Sequence, residues 1–488
     1  MRVEFPINSN DENYNIVDFK EDGVLVFAPT EASRADDSEL WTFTFLNKYL
    51  EKKWQKTSKL SKDLNFIKQV SKGNSKYLVF HNSKNKDLDV PSYIVKTEID
   101  TAKLSFYSVN LPPKHIVSDF EVINNKSLIG VESRQQMPKL FIYDFKNNEL
   151  KKIESYNEDN GYIEDVKIDN GNYIVITRRE PSRDTNYIEY CQFDPDGVLM
   201  HSIKIDHPME KLLFNNGQFL SVSPEQKLII GTFYRSRQGK TQKSNELDVE
   251  LSTGVYLAII EGDKLSTLKY HSFSEFDNFY NYLNTSNIGI LSKSIDQKKK
   301  MEKGFMAHFS LLLHDVIQTE DQLILAAETF YPEYRQERRV QYDYYGRMYP
   351  SYQSVFEGYR FNNALVAGFD LKGDLVWNNS MDMDEILSHD LYRRAHVAID
   401  SNDVFVTYAH EGYLISKNIE GNKVSKYEDR ISIQLDYATD ILIEEGSILF
   451  RDWYEGFYLL YGYQIIRNNN IGTKNKRNVF FINKIALQ

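Results

Sequence analysis

The segment of this 488-residue sequence best suited to molecular recognition is rich in tyrosine and arginine. Residues 331–360 contain eight tyrosines and five arginines, with four acidic residues among them. Both residue types combine a large contact area with a polar tip, and they are enriched where protein interfaces are strongest. The segment therefore predicts a surface that binds a protein partner. The candidate partner-binding residues are Tyr334, Arg338, Arg339, Tyr342, Tyr344, Tyr345, Arg347 and Tyr349.

A structural interpretation of the same segment is equally open. Residues 331–360 join two predicted strands, at 323–327 and 364–369, so they form an extension between strands of one sheet. Connections of this length without regular structure are usually functional or disordered. A long hairpin whose aromatic side chains pack against the scaffold also accounts for the composition.

Catalytic motifs are missing from the sequence. It contains no Gly-x-Ser-x-Gly nucleophile elbow and no His-Glu-x-x-His zinc helix. Gly239, Lys240 and Thr241 match the end of a phosphate loop, but Tyr234 stands where its first glycine must be. We predict no catalytic residue, no metal site and no cofactor. Four histidines that flank predicted strands are interpreted as hydrogen-bonded sheet residues, namely His308, His314, His396 and His410.

A cluster of three carboxylates at 381–385 offers acid–base or calcium chemistry. Asp382 and Asp384 alternate, which puts both on one face if the segment is a strand. A helix start, with Asp384 as its N-cap, is the interpretation we favour, because acidic residues are stabilised at helix N-termini.

A recurring strand pair must position these residues. Short alternating strands run through a polar turn into a second, apolar strand, as at 22–27, 125–131, 171–176, 226–231, 321–326, 402–406 and 445–450. An outer hairpin with an Asp-initiated turn follows, as at 193–199 and 369–375.

The period of this repeat predicts the fold. Units begin near residues 13, 62, 115, 161, 210, 307, 393 and 437, a spacing typical of propeller blades. The sequence predicts an all-β protein, one β-propeller domain over 1–488 with seven or eight four-stranded antiparallel blades. We expect the final strands, 479–485, to complete the first blade and close the ring. Two stacked β-domains are the alternative.

One further segment interrupts the period. Residues 273–303 carry Phe276, Phe279, Tyr280 and Leu283 at helical spacing, followed by a run of lysines. The spacing predicts a short, partly helical insertion.

Composition restricts the partners and the compartment. The net charge is −11, which disfavours nucleic acid as a partner. No stretch has the roughly 20 apolar residues of a membrane helix. Residues 1–6 show no apolar leader, so a cytoplasmic protein and an exported protein whose leader has been removed both stay open. The single cysteine, Cys191, is interpreted as a small packed residue.

Several segments resemble Bacteroidota cell-envelope proteins of the β-propeller type. They are residues 330–334, 342–347, 355–360, 364–370 and 375–380. Within that group, the chain is similar to the plug subunit of the type IX secretion translocon. The resemblance implies an exported, periplasmic protein with a large outer-membrane partner, and it assigns no functional residue.

Two classes of function follow as hypotheses. The first is a non-enzymatic interaction protein of the cell envelope that binds a large protein partner and caps a protein-secretion pore in the outer membrane. The second is a propeller hydrolase, or a protein that binds a glycan or small ligand, with its site at the central channel. Converging acids at that channel would favour the second class.

Overall fold

The structure is a computed structural model in which almost every residue that has regular structure lies in a β-strand. It describes residues 1–7, 13–32, 38–82, 90–99, 101–133, 136–207, 212–235, 251–276, 278, 310–342, 345, 347–400, 403–420, 423–425, 428–468 and 476–486. Over these residues the only helical elements are two 3-10 turns, Lys20–Asp22 and Phe273–Glu275.

The strands of the first half are short and regularly spaced. In chain order they are β1 Arg2–Pro6, β2 Asn15–Asp18, β3 Val24–Ala32, β4 Ser38–Leu46, β5 Lys52–Ser61, β6 Asn65–Lys72, β7 Ser75–His81, β8 Ser92–Glu98, β9 Lys103–Val109, β10 His115–Ile123, β11 Lys126–Ser133, β12 Pro138–Asp144, β13 Glu149–Lys152, β14 Gly161–Asp169, β15 Asn172–Ser182, β16 Thr185–Phe193 and β17 Leu199–Asp206.

The second half contains the longest strands. They are β18 Leu212–Phe214, β19 Gln218–Ser221, β20 Gln226–Arg235, β21 Gly254–Glu261, β22 Lys264–Ser272, β23 Ser310–Leu313, β24 Ile317–Gln318, β25 Gln322–Tyr342, β26 Met348–Asp370, β27 Leu375–Ser388, β28 His396–Asp400, β29 Asp403–His410, β30 Tyr413–Glu420, β31 Lys423–Val424, β32 Asp429–Ser432, β33 Ile441–Tyr454, β34 Phe457–Arg467 and β35 Lys476–Ala486.

The described strands form eight antiparallel sheets; seven are built from consecutive strands, and the eighth combines the last three strands with the first. Blades 1 to 4 are β2–β5, β6–β9, β10–β13 and β14–β17. Blades 5 to 7 are β18–β22, β23–β27 and β28–β32, and blade 8 is β33–β35 together with β1. Each blade begins within about four residues of a predicted repeat start. The predicted repeat is confirmed, and the number of blades is the larger of the two expected.

The apolar residues lie between the sheets, and this arrangement closes the ring. The described residues form eight buried clusters, and each joins two successive blades. The decisive cluster joins the last blade to the first, with Trp453 and Phe480 packed against Val24 and Val26. A single blade cannot bury both of its faces, so stacking around an axis is what stabilises it. Over its described residues, the chain is an eight-bladed β-propeller.

The closing strand comes from the opposite end of the chain to the one we expected. β1 pairs antiparallel with β35, from Arg2 opposite Asn483 to Pro6 opposite Val479. The N-terminal strand therefore completes the last blade, whereas the first blade is complete without 479–485. Because β1 fills the edge of β35, that edge does not present unpaired backbone groups to other chains.

Polar side chains fix how neighbouring blades meet. His81, at the end of β7, hydrogen-bonds to the carbonyl of His115 at 2.8 Å, where blade 3 begins. Glu132, at the same place in β11, accepts the Ile163 N–H of blade 4 at 2.6 Å. A side chain at the end of the second strand thus satisfies the backbone at the start of the next blade. Glu328, in β25, does the same between blades 6 and 7.

Of the two sequence predictions about helices, one is wrong and the other falls mostly outside the described residues. Residues 381–385 belong to β27, so the predicted helix start at Asp384 is wrong. The strand pairs with β26 at Asp382 and again at Ile386, and between these pairs Asp384 and Glu385 adopt left-handed φ angles of 52° and 53° that bend it. Most of the predicted insertion at 273–303 lies outside the described residues. Its described beginning is the 3-10 turn Phe273–Glu275, capped by Ser272.

Candidate functional site

The tyrosine- and arginine-rich segment is a long β-hairpin that projects from blade 6. β25 and β26 pair from Gln322 opposite Asp370 to Tyr342 opposite Met348. β23 pairs with β25 only as far as Phe330, and β27 pairs with β26 only as far as Tyr359. Beyond these points, residues 331–342 and 348–358 pair with each other, and no third described strand lies beside them. We call these two stretches the ribbon.

One face of the ribbon is apolar and exposed. Cross-strand pairing places Tyr334 opposite Phe356, Arg338 opposite Tyr352 and Val340 opposite Pro350, and alternation puts these pairs and Met348 on the same face, with the polar pair Gln336 and Ser354 between them. Near the root, the Tyr334 and Phe356 rings pack 5.7 Å apart. Towards the tip the face is open, since the exposed fractions of Val340, Tyr352 and Met348 are 56%, 66% and 70%.

The opposite face of the ribbon is charged. Arg335 pairs with Glu357 at 3.3 Å, and Arg339 pairs with Glu337 at 3.3 Å. These side chains are largely exposed, so the pairs contribute little to stability. They keep this face soluble and leave the apolar face as the one suited to binding.

The structure gives the predicted site residues three kinds of outcome. Arg338, Arg339, Tyr345 and Arg347 are exposed, with Tyr345 at 81%. Tyr334 is partly buried, because it packs at the root. Tyr344 lies outside the described residues, and the structure gives Tyr342 and Tyr349 only as backbone positions of the two strands.

Sequence reasoning missed part of the apolar face. Val340, Met348, Tyr352 and Phe356 belong to it, but we singled out the tyrosines and arginines by type alone. The register of the hairpin is what groups them. The alternating pattern in the residues before 342 and after 348 was the available signal.

The first strands of the blades form a second polar region, along the axis. β6, β10, β14 and β19 lie side by side in successive blades. Asp119 accepts the Val166 N–H at 2.8 Å and contacts the Lys68 ammonium, and Asp165 accepts the Phe219 N–H at 2.8 Å. Lys68, Asp119 and Asp165 each follow a β-bulge in their strand. These aspartates bind the backbone of the next blade, which is a structural task.

Two acids of these innermost strands have raised pKa values. Burial raises the pKa of Glu121 to about 7, against the opposing effect of Lys68 and Lys167. Burial also raises the pKa of Asp165 to about 6, although Lys167 and the bond from Phe219 act in the other direction. Carboxyl groups that titrate near neutrality are suited to proton transfer. The axis is therefore where an enzymatic or ligand-binding site would lie.

The described residues contain no group of three or more side chains placed to hold a metal ion. His314, one of the histidines expected to be hydrogen-bonded, lies 2.7 Å from the carboxylate of Glu328. His308 lies outside the described residues. Within the described ranges, no helix is long and apolar enough to cross a membrane.

Comparisons with known proteins return structures but no family. No protein-family model matches the chain, and no curated protein matches it. Oligopeptidase B from Leishmania major has a TM-score of 0.38 and 7% identity, and the match covers 95% of this chain and 54% of the oligopeptidase chain. This chain therefore spans about half the length of that enzyme. The Dos1 propeller has a TM-score of 0.37 and 11% identity, with coverages of 82% and 76%. An ulvan lyase has a TM-score of 0.42 and 7% identity, with coverages of 84% and 90%.

These similarities are too low to transfer an activity. The fold assignment given above rests on the eight sheets and on the cluster that joins the last to the first.

Proposed function

We propose that this chain is a non-enzymatic interaction protein whose ribbon binds a protein partner. The observation that carries the proposal is the exposed apolar face formed by Val340, Met348 and Tyr352 on a hairpin that projects from blade 6.

The physics of a free ribbon supports this proposal. A two-stranded hairpin is marginally stable alone in water, and contiguous exposed apolar surface is uncommon on monomeric proteins. Arg338 lies opposite Tyr352 on the same face. A combination of tyrosine, methionine and arginine is typical of the core of an interface. A partner that covers this face would bury apolar surface and hold the ribbon in place.

The compartment and the partner form a finer part of the proposal. We place the protein in the periplasm, with an outer-membrane secretion translocon as its partner, on the basis of the resemblance described for the sequence. A rigid closed ring suits a cap over a pore, because it carries its loops on a scaffold that does not rearrange. Fractionation of the producing cells tests this placement, and recovery of the protein in the cytoplasm would contradict it.

The experiment for the ribbon compares two triple variants in affinity capture from the producing cells. Val340→Ser, Met348→Ser and Tyr352→Ser together remove exposed apolar groups from the ribbon. The control, Val198→Ser, Met200→Ser and Leu251→Ser, removes similarly exposed groups from blades 4 and 5, where the exposed fractions are 58%, 58% and 51%.

We expect the ribbon variant to lose a partner that the control retains. The thermal midpoints of both should stay within about 2 °C of the unsubstituted protein, because exposed side chains contribute little to stability. Retention of every captured protein by the ribbon variant contradicts the proposal. Unfolding of that variant would show instead that these side chains support the scaffold.

A second candidate function is favoured by the raised pKa values at the axis. Glu121 would serve there as a proton donor or as a ligand for a polar substrate. If the chain is a hydrolase with Glu121 as its proton donor, Glu121→Gln should abolish its hydrolase activity. Unchanged activity in that variant rules out Glu121 as the proton donor.

A further inference from the structure

A groove of about 610 Å³ lies at the root of the ribbon, where blades 6, 7 and 8 meet. Its walls come from the end of β27, the turn between β29 and β30, and the beginning of β33. Arg360, at the root of the ribbon, is part of its lining. The groove is therefore continuous with the surface proposed to bind a partner.

The groove carries an excess of negative charge. Two guanidinium groups line it, and both are already hydrogen-bonded: Arg360 donates to the Glu385 carbonyl at 3.0 Å, and Arg394 donates to the Asp390 carbonyl at 3.1 Å. Such a local excess attracts cations and disfavours anions. The lining carboxylates are Asp384, Glu385, Glu411, Glu444 and Glu445.

The carboxylates occupy two depths. The side chains of Glu385 and Glu411 are 70% and 82% exposed at the mouth. Glu445 lies deeper and accepts the Gly412 N–H at 2.7 Å. Burial, reinforced by nearby Glu411, raises the pKa of Glu445 to about 7. A cation in the groove would stabilise the ionised form of this carboxyl.

Two buried polar atoms in the wall lack partners among the described residues. Oε1 of Glu445 has no donor, and Nε of Arg394 has no acceptor although this side chain is only 4% exposed. An unsatisfied buried polar group carries an uncompensated desolvation cost.

Apolar side chains flank the same groove. Leu387 on β27 and Ile443 on β33 are each 44% exposed. A metal ion or a small amine would leave them uncovered. A peptide that alternates basic and apolar residues would cover them while its cations meet the carboxylates.

We propose that this groove binds a basic, partly apolar peptide segment of the protein partner, an inference that rests on the proposed function and names the chemistry of what it recognises. The ribbon and the groove then form one continuous docking surface on blades 6 to 8.

Fluorescence anisotropy with defined peptides tests the inference on the full chain. The probe is a labelled peptide of about ten residues that alternates lysine and leucine. Two further peptides replace lysine by glutamate or leucine by serine, and spermine serves as an unlabelled competitor. The test variant is Glu411→Gln with Glu445→Gln, and Glu411→Gln alone covers the case in which the change at Glu445 disturbs folding. The control, Glu225→Gln with Glu320→Gln, changes the charge equally at exposed sites.

We expect the lysine–leucine peptide to bind and the double variant to bind it about tenfold more weakly. Glu411→Gln alone should weaken binding about threefold, and the control should stay within about twofold of the unsubstituted protein. The inference is overturned by absence of binding, by equal binding of the glutamate peptide, or by an equal loss in the control. Equal binding of the serine peptide, or displacement by stoichiometric spermine, also overturns it, since the occupant is then a small polycation. If peptide binding fails while the ribbon variant still loses its partner, the proposed function stands without this groove.

Discussion

Replacing Glu328 by alanine is predicted to destabilise the ring more than any surface substitution. This carboxylate is completely buried in β25 of blade 6. It accepts the backbone N–H groups of Arg394 and Ala395, each at 2.9 Å, at the entrance to blade 7. It also accepts a hydrogen bond from His314 at 2.7 Å. Removing the side chain leaves three buried donors without an acceptor.

The magnitude follows from those donors. A buried donor that loses its acceptor costs about 1–3 kcal/mol, and relief of the buried charge offsets part of the sum. We expect Glu328→Ala to lower the free energy of unfolding by about 3–5 kcal/mol. Glu328→Gln keeps one acceptor oxygen and should cost about 1–2 kcal/mol.

Equilibrium urea denaturation measures these changes, read as midpoint shifts at an unchanged slope. Glu320→Ala, an exposed acid on the same blade, is the control and should stay within about 0.5 kcal/mol. If Glu328→Ala costs no more than this control, the bonds between blades 6 and 7 do not hold the ring as described.

Three further predictions concern closure, pH and backbone strain. Phe480→Ala removes a ring stacked 4.9 Å from that of Tyr14 in the cluster joining blades 8 and 1. Urea denaturation should show a loss of about 3–5 kcal/mol in unfolding free energy, and a loss below about 1 kcal/mol would contradict closure of the ring between these two blades. Asp165, with a folded pKa raised to about 6, stabilises the fold when protonated, and this contribution is lost as pH rises from about 4 to 6. As the pH rises from about 4 to about 7, the unsubstituted protein should therefore lose about 2–3 kcal/mol of unfolding free energy relative to Asp165→Asn. A difference in unfolding free energy that does not change with pH would refute the burial of this charge. Gly23→Ala should cost more than about 1 kcal/mol, because φ is 140° and the new methyl would lie 1.9 Å from the Leu46 carbonyl oxygen; no measurable change in thermal midpoint would contradict this.

The repeat was predictable because each blade solves the same problem with the same pattern. A tight polar turn followed by an apolar strand recurs at nearly equal spacing, so the starts of all eight blades could be marked from the sequence. The end of the chain that supplies the closing strand could not be predicted from the sequence. β1 and the strands at 479–485 are equally strand-like, and only their pairing in three dimensions shows which one completes which blade.

The carboxylates illustrate what local patterns leave out. Asp384 is followed by a short apolar run, which favours a helix cap, but the pairing of β27 with β26 on both sides of Asp384 overrides this preference. Asp119, Asp165 and Glu328 gave no sequence signal of their roles. Each binds the backbone of the next blade, roughly 50 or more residues away along the chain.

The composition of the ribbon was predictable, but its geometry was not. Tyrosine and arginine content pointed to the segment, whereas the division into an apolar and a charged face depends on which residues lie opposite one another. The groove beside it draws on blades 6, 7 and 8 together, so its residues never appear as one motif.

Site-specific photo-crosslinking in the producing cells tests the central claim, that the ribbon is the partner-binding element. A photoreactive amino acid replaces Tyr352, which is 66% exposed on the apolar face, or Val198, which is 58% exposed on blade 4. Position 352 should give an adduct with one protein that position 198 does not give. No adduct at 352, or the same adducts at both positions, would contradict the claim.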